Sequence, residues 1–311
     1  MFSRFPALAI VSSSALLALV ACGSDPKSPH DPRSIQELTG LAPPDETAEA
    51  QEARSRTVVM NADSLILTTA HVETSHPEIP ALIIQAECSG GRCELFEPLS
   101  GDIGTMGLDD IEFLDGPAYT VGSRYGITLM SASARPEDED RVENASVTSY
   151  GSWMEHGGFG LQTNTYETGG VSFVERFGIV GGKLTGAKLT GGATWLGLMV
   201  GTLAEGEHSG DLLQGDAALN YDLALDTLDV GFSGIENIDR RAAHSTEVVM
   251  FNDLTVAPDG TFKAGSTGDL IQGGFYGPGH AEAAGVFERS NIVGAFGAKR
   301  EPGVAVAEGA P

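Results

Sequence analysis

Residues 271–300 read IQGGFYGPGHAEAAGVFERSNIVGAFGAKR, and the reading of this stretch decides the fold. With Leu270 in front, it divides into three short apolar pieces: Leu270 to Tyr276, Ala281 to Phe287, and Ile292 to Phe296. None reaches helix length, and aromatic residues recur at Phe275, Tyr276, Phe287 and Phe296. Short, aromatic-rich runs bounded by turn residues are the mark of consecutive antiparallel strands. Gly277-Pro278-Gly279 cannot continue a strand, so it is expected as a turn.

Working outward, eight strands are expected between residues 192 and 300. They are Thr194 to Leu203, Ala217 to Leu223, Leu228 to Gly234, Val248 to Ala257, Thr261 to Ala264, Leu270 to Tyr276, Ala281 to Glu288, and Ile292 to Arg300. Leu219, Tyr221 and Leu223 alternate with Asn220 and Asp222, and Leu228, Val230 and Phe232 alternate with Asp229 and Ser233. Period two gives this hairpin one apolar face. Pro258-Asp259-Gly260 supplies a turn. Eight strands can close into a barrel filled by its own side chains, which removes exposed edges. The expected fold class is therefore all-β, a small N-terminal β region followed by an eight-stranded antiparallel barrel. A membrane-spanning barrel is disfavoured, because several strands fall short of the ~9 residues a tilted spanning strand needs, and outward positions carry Asp and Asn.

Gly273-Gly274-Phe275-Tyr276-Gly277-Pro278, Ala281-Glu282, Gly285-Val286-Phe287 and Phe296-Gly297-Ala298-Lys299-Arg300 together resemble the end of the transferrin-binding protein B β-barrel domain. The chain departs from that pattern in two places: Gly273-Gly274 directly precede Phe275, and Ala284-Gly285 stands for the second glycine pair. The resemblance covers about the last third of the chain. It implies a surface lipoprotein with a leash, a handle-like β region and one barrel. Such a protein would bind a protein or haem-related ligand, in iron acquisition. Two-lobed receptors of the family hold transferrin, whereas this chain has room for one lobe. Family ligand contacts lie in variable loops, so no binding residue carries over, and the motif glycines and aromatics are read as fold determinants. The alternative is a structural or adaptor lipoprotein of the bacterial envelope without an iron ligand.

Residues 56–135 are expected as the handle-like region, with strands at Val58 to Met60, Ser64 to Ala70, Ala81 to Glu87 and Cys93 to Phe96. Asp109 to Leu114 and Ile127 to Ala132 could add two more. Cys88 and Cys93 flank Ser89-Gly90-Gly91-Arg92, a turn between two strands. In an exported protein that arrangement reads as a disulfide. Two cysteines alone are too few for a metal site. Leu67-Thr68-Thr69-Ala70-His71 is similar to the histidine segment of trypsin-like proteases, but no Gly-Asp-Ser-Gly segment accompanies it. His71 and His76 lack the spacing of a helix-face pair and read as ordinary polar residues. Residues 136–191 are expected as a connecting segment. Within it, Trp153 reads as a core residue rather than, with His156, a grip on a ligand.

At the other end, Arg4 precedes the mainly apolar run Phe5 to Val20, and Leu19-Val20-Ala21-Cys22 follows. Residues 1–21 read as a signal peptide, and the last four residues resemble the bacterial lipobox. Cys22 is then the lipidated residue and the membrane contact, through palmitate-type acyl chains that add ~0.8 kcal/mol per buried methylene. Gly23, rather than Asp, follows the cysteine, so the outer membrane is expected, with the protein exposed at the surface or facing the periplasm. Residues 22–55, with five prolines from Pro26 to Pro44, read as a disordered tether, and 301–311 as a disordered tail. The formal net charge of −25 makes nucleic acid a poor partner. Neither a nucleotide-binding glycine motif in its strand–helix context nor a catalytic or metal-ligand pattern is present, so no enzyme activity, cofactor or metal is expected.

Overall fold

The computed structural model describes residues 65–75, 82–89, 92–97, 101–107, 118–134, 143–266 and 268–302. Every regular element among them is a strand. The expected strands at Val58 to Met60 and Asp109 to Leu114 lie outside the described residues, as do the signal peptide, the tether and most of the tail.

The first sheet holds β1 (Leu65–Thr74), β2 (Leu82–Ser89), β3 (Arg92–Glu97), β4 (Gly101–Gly107), β5 (Ala118–Arg124), β6 (Ile127–Ala134), β7 (Glu143–Trp153), β8 (Gly157–Thr168) and β9 (Val171–Gly182). Their order is β4-β3-β2-β1-β9-β8-β7-β6-β5. The last strand therefore returns to pair with the first, from Leu65↔Gly182 to Thr74↔Phe173. Residues 136–191, expected as a connection, contain the three long central strands β7, β8 and β9. The reason lies in their faces. Glycines such as Gly158, Gly178 and Gly182 stand where alternating apolar side chains would announce a strand.

The second sheet contains all eight expected strands, as β10 (Ala193–Leu203), β11 (Leu212–Asp222), β12 (Thr227–Asn237), β14 (Val248–Thr255), β15 (Thr261–Ser266), β16 (Asp269–Tyr276), β17 (Glu282–Arg289) and β18 (Ile292–Arg300). A two-residue β13 (Ala242–Ala243) pairs with β12. β11 begins five residues earlier than expected, because Leu212 to Asp216 pair with β10. First and last strands join from Trp195↔Arg300 to Leu203↔Ile292. The ladder is not closed into a barrel, which corrects the expectation of full closure. β14 and β15 meet only at the bridge Val256↔Phe262 beside their turn. Beyond it Arg289 occupies the seam: it donates to the Met250 carbonyl, pairs with Asp269, and lies 3.8 Å from the Phe251 ring centre.

All eight strands nevertheless surround one core. Trp195, Leu219, Phe232, Phe251, Phe262, Phe275, Phe287 and Phe296 face each other inside it. Phe232 lies 4.4 Å from Phe287 and 5.2 Å from Phe296. Trp195, fully buried, donates its indole N–H to the His280 carbonyl at 2.8 Å. Each such buried aromatic contributes about 1.5–3 kcal/mol by leaving water. A second core lies between the two sheets. Leu65, Leu67, Leu129, Phe159 and Val180 of the first sheet meet Leu198, Val200, Val286 and Ala295 on the outside of the second. The first sheet thus covers β10, β17 and β18.

Candidate binding surface

The motif of residues 273–300 sits where the first sheet docks. Its interior glycines make room for rings inside the barrel: a β-carbon at Gly273 would press on Phe262, and one at Gly285 on Phe296. Its outward glycines make room for the first sheet and for the segment that follows β9. A β-carbon at Gly297 would collide with the Phe159 ring, at Gly277 with the His156 ring, and at Gly274 with Leu184. Gly277 also has φ 73°, a conformation that favours glycine beside Pro278. Phe275, Phe287 and Phe296 point inward and Tyr276 outward, all four fully buried. Glu282 completes the joint. Its two carboxylate oxygens accept from the backbone N–H groups of Glu155 at 2.8 Å and His156 at 3.0 Å. Burial holds its pKa above the ordinary range, opposed by those two bonds. Glu288, also raised by burial, accepts from Thr69 of the first sheet and from Gly268 N–H at 2.7 Å.

Trp153 is 3% exposed and belongs to the interior, and His156 serves the joint through its backbone. Cys22 lies outside the described residues. Cys88 stands directly opposite Cys93 in the β2–β3 register. Opposed Cα atoms in such a ladder are ~4.5–5.5 Å apart, within the ~4.4–6.8 Å span of a disulfide.

His71 is buried in a polar latch that sequence reasoning missed. Arg176 Nη1 lies 3.1 Å from Glu73 Oε2, and Ser209 Oγ donates to Glu73 Oε1 at 2.8 Å. His71 Nδ1 is 3.9 Å from Glu73 Oε1 and has no hydrogen-bond partner. The carboxylate, not the imidazole, receives the serine proton, so this is not a nucleophile with its base. It instead ties the loop from Ala204 to Asp211 onto β1 and β9. Burial lowers the His71 pKa, with Arg176 adding to that and Glu73 and Glu205 opposing it. For Glu73 burial acts upward, but the Ser209 bond and the Arg176 charge outweigh it and leave the pKa low. Among the described residues no three His, Cys, Asp or Glu side chains gather as metal ligands.

On the far side, β11, β12 and β14 turn their outer faces to water. A groove of about 320 Å³ crosses them, floored by Ala218 and Gly231 and flanked by Val248 and Met250. Val248 is 53% exposed and Met250 41%. The floor is low because Gly231 has no side chain, and a β-carbon there would meet the Met250 sulfur at 2.6 Å. Asp229 and Asn220 line the groove. Asp222 continues the outward row of β11, and Asp253 lies in the bulge facing Asp229, whose carboxylate accepts the Asp253 N–H at 2.9 Å. The Asp222 carboxylate accepts the backbone N–H groups of Ala224 at 2.7 Å and Leu225 at 3.2 Å in the turn that follows β11. Two cations nearby are already engaged, Arg124 with Asp216 at 3.0 Å, and Arg289 with Asp269 and the Met250 carbonyl. The groove is shallow and half open. Such a surface suits another macromolecule better than a small ligand, which usually sinks into a concave, largely enclosed pocket.

No family model matches the chain, and no curated protein matches it. Solved structures do. Isotype 1 transferrin-binding protein B from serogroup B Neisseria meningitidis is similar at 13% identity and TM-score 0.33, over 73% of this chain and 60% of that one. A transferrin-binding protein B double mutant from Haemophilus parasuis Hp5 gives 13% identity and TM-score 0.37, over 71% of this chain and 54% of that one. A surface lipoprotein gives 11% and 0.35, over 78% of this chain and all of that one. The chain thus spans little more than half of the two transferrin-binding proteins. These are likenesses in the course of the chain, and the chemistry of the surface rests on its own residues.

Proposed function

We propose that the chain is an outer-membrane-anchored surface lipoprotein that binds a protein ligand in iron acquisition. The observation that carries the binding reading is the uncovered outer wall of the barrel, with Val248 and Met250 exposed over a glycine floor. The barrel interior offers no equivalent, since aromatic and aliphatic side chains from all eight strands fill it. A haem-sized ligand would have to displace that core, so a protein ligand is favoured over haem. The resemblance of residues 273–300 supports the surface and iron-uptake parts of the reading. Residues 1–21 act as the signal peptide and Cys22 as the acylated anchor. Residues 22–55 form the tether, the strands between Leu65 and Gly182 the sheet that braces the second one, and 192–300 the barrel-like domain. Cys88 and Cys93 form a disulfide, and neither thiol of the exported chain takes an alkylating label until it is reduced.

The test has two arms. In cells, the full chain is probed with an external protease and compared with Cys22→Ser. The wild type should be membrane-bound and cleaved from outside, while the variant leaves the membrane fraction. In vitro, the soluble chain starting at Gly23 is offered transferrin, haemoglobin, haem and envelope extract. Retention of an iron-carrying protein supports the reading. Retention of envelope components alone, with protection from external protease, overturns it in favour of an envelope adaptor.

A further inference from the structure

We propose that the groove across β11, β12 and β14 seats a basic polypeptide segment. An aliphatic side chain of the partner would lie between Val248 and Met250, and its flanking lysines or arginines would reach Asp222, Asp229 and Asp253.

Two independent features define the occupant. The first is apolar. Val248 and Met250 are exposed side by side on one strand face, above the floor made by Ala218 and Gly231. Methionine is unbranched and polarizable, and adapts its shape to an incoming side chain. Burying the pair and its floor would recover the apolar surface that the first sheet leaves uncovered on this wall. The second is charge. Asp229 lines the groove, Asp253 lies beside it in the β14 bulge and Asp222 next along the outward row of β11, in a chain of net charge −25. Coulomb attraction between a cationic partner and such a rim speeds encounter and fixes orientation. The same charge disfavours a second copy of this chain. It also disfavours the chain's own last residues, 303–311, which carry Glu308 and no lysine or arginine.

This inference rests on the ligand-binding reading and names the partner chemistry of that site. Its test uses the soluble chain starting at Gly23 and two synthetic peptides of equal length, one alternating lysine with leucine and one alternating glutamate with leucine. Binding is read by fluorescence titration, with hydrogen exchange locating the footprint. The lysine peptide should protect β12 and β14, and the glutamate peptide should not bind. Val248→Ser with Met250→Ser should weaken the lysine peptide by about tenfold or more, as should Asp222→Asn with Asp229→Asn and Asp253→Asn. The exposed pair Glu207→Gln with Glu301→Gln should change nothing, and it controls for general charge attraction. Equal weakening by that control pair overturns the proposal. So does an affinity indifferent to Val248→Ser with Met250→Ser, or a footprint elsewhere. An iron-carrying protein captured in the ligand screen, and held equally well by both groove variants, would overturn the groove while leaving the ligand-binding reading intact.

Discussion

The second sheet, curled around one core without closing, has two kinds of wall. The wall of β16, β17 and β18 is buried on both faces, inward against the aromatic core and outward against the first sheet. The wall made by β11 from Ala217 onward, β12 and β14 is buried on one face, and its residues mostly alternate between core and water. The covered wall therefore reads as unbroken apolar runs rich in glycine, because both faces need close approach. The open wall reads as alternating apolar and acidic residues. Function divides the same way: the covered wall joins the two sheets, and the open wall is free to meet a partner.

The division breaks most clearly under large-to-small substitution. Phe159→Ala removes a fully buried ring from the joint and should cost about 3–5 kcal/mol. Val248→Ala on the open wall should stay within about 0.5 kcal/mol. Urea unfolding of both variants measures the contrast, and equal losses would erase it. The reverse substitution sharpens it. Gly297→Leu drives a side chain into the Phe159 ring and should cost about 1–3 kcal/mol. Ala218→Leu adds the same side chain to open groove floor and should be nearly neutral in stability, while changing peptide binding.

A smaller contrast compares carboxylates. Glu282→Gln keeps the shape but loses one of two charge-assisted acceptors at the Glu155–His156 turn, for about 1 kcal/mol. Asp229→Asn should stay within about 0.5 kcal/mol. Midpoints of urea unfolding at neutral pH would show the difference, and a neutral Glu282→Gln would mean the joint is held by packing alone.

The barrel was legible for the same reason that its walls differ. Gly277-Pro278-Gly279 and Pro258-Asp259-Gly260 punctuated strands whose apolar content was high on one face or on both, and all eight were found. The first sheet was harder to read. β7, β8 and β9 carry serine, threonine and glycine on faces that dock by shape rather than by bulk, so Gly158, Gly178 and Gly182 hid them from a search for apolar periodicity. Full closure was expected because eight strands suffice for it. A guanidinium in the seam, from Arg289, was not visible in a count of strands. The groove combines Ala218, Gly231, Val248 and Met250 from three strands, and only register brings them together. The polar latch was missed for the same reason, since Glu73, Arg176 and Ser209 are far apart in sequence.

That latch yields the smallest expected effect, and it tests the joint from the edge. His71 titrates in the unfolded chain near the ordinary value of 6.5 and below it when folded, chiefly because it is buried. The folded protein therefore binds fewer protons than the unfolded one once the pH drops below about 6.5. Stability attributable to neutral His71 is complete above that pH, and is lost as the pH falls toward the lowered folded value. Glu282 and Glu288 act in the opposite sense. Their raised values make the folded chain bind more protons than the unfolded one above about 4.5, so acidification through that window favours folding. The net profile mixes the two, and His71→Gln separates them. The wild type should lose stability relative to the variant as pH falls from 7 through 6, with parallel profiles above 7. Identical profiles would mean that His71 gains a partner when it is charged, with Glu73 as the carboxylate in place to supply it. The charge of Glu73 would then offset the burial of His71, and the loop from Ala204 to Asp211 would be held equally firmly at both pH values.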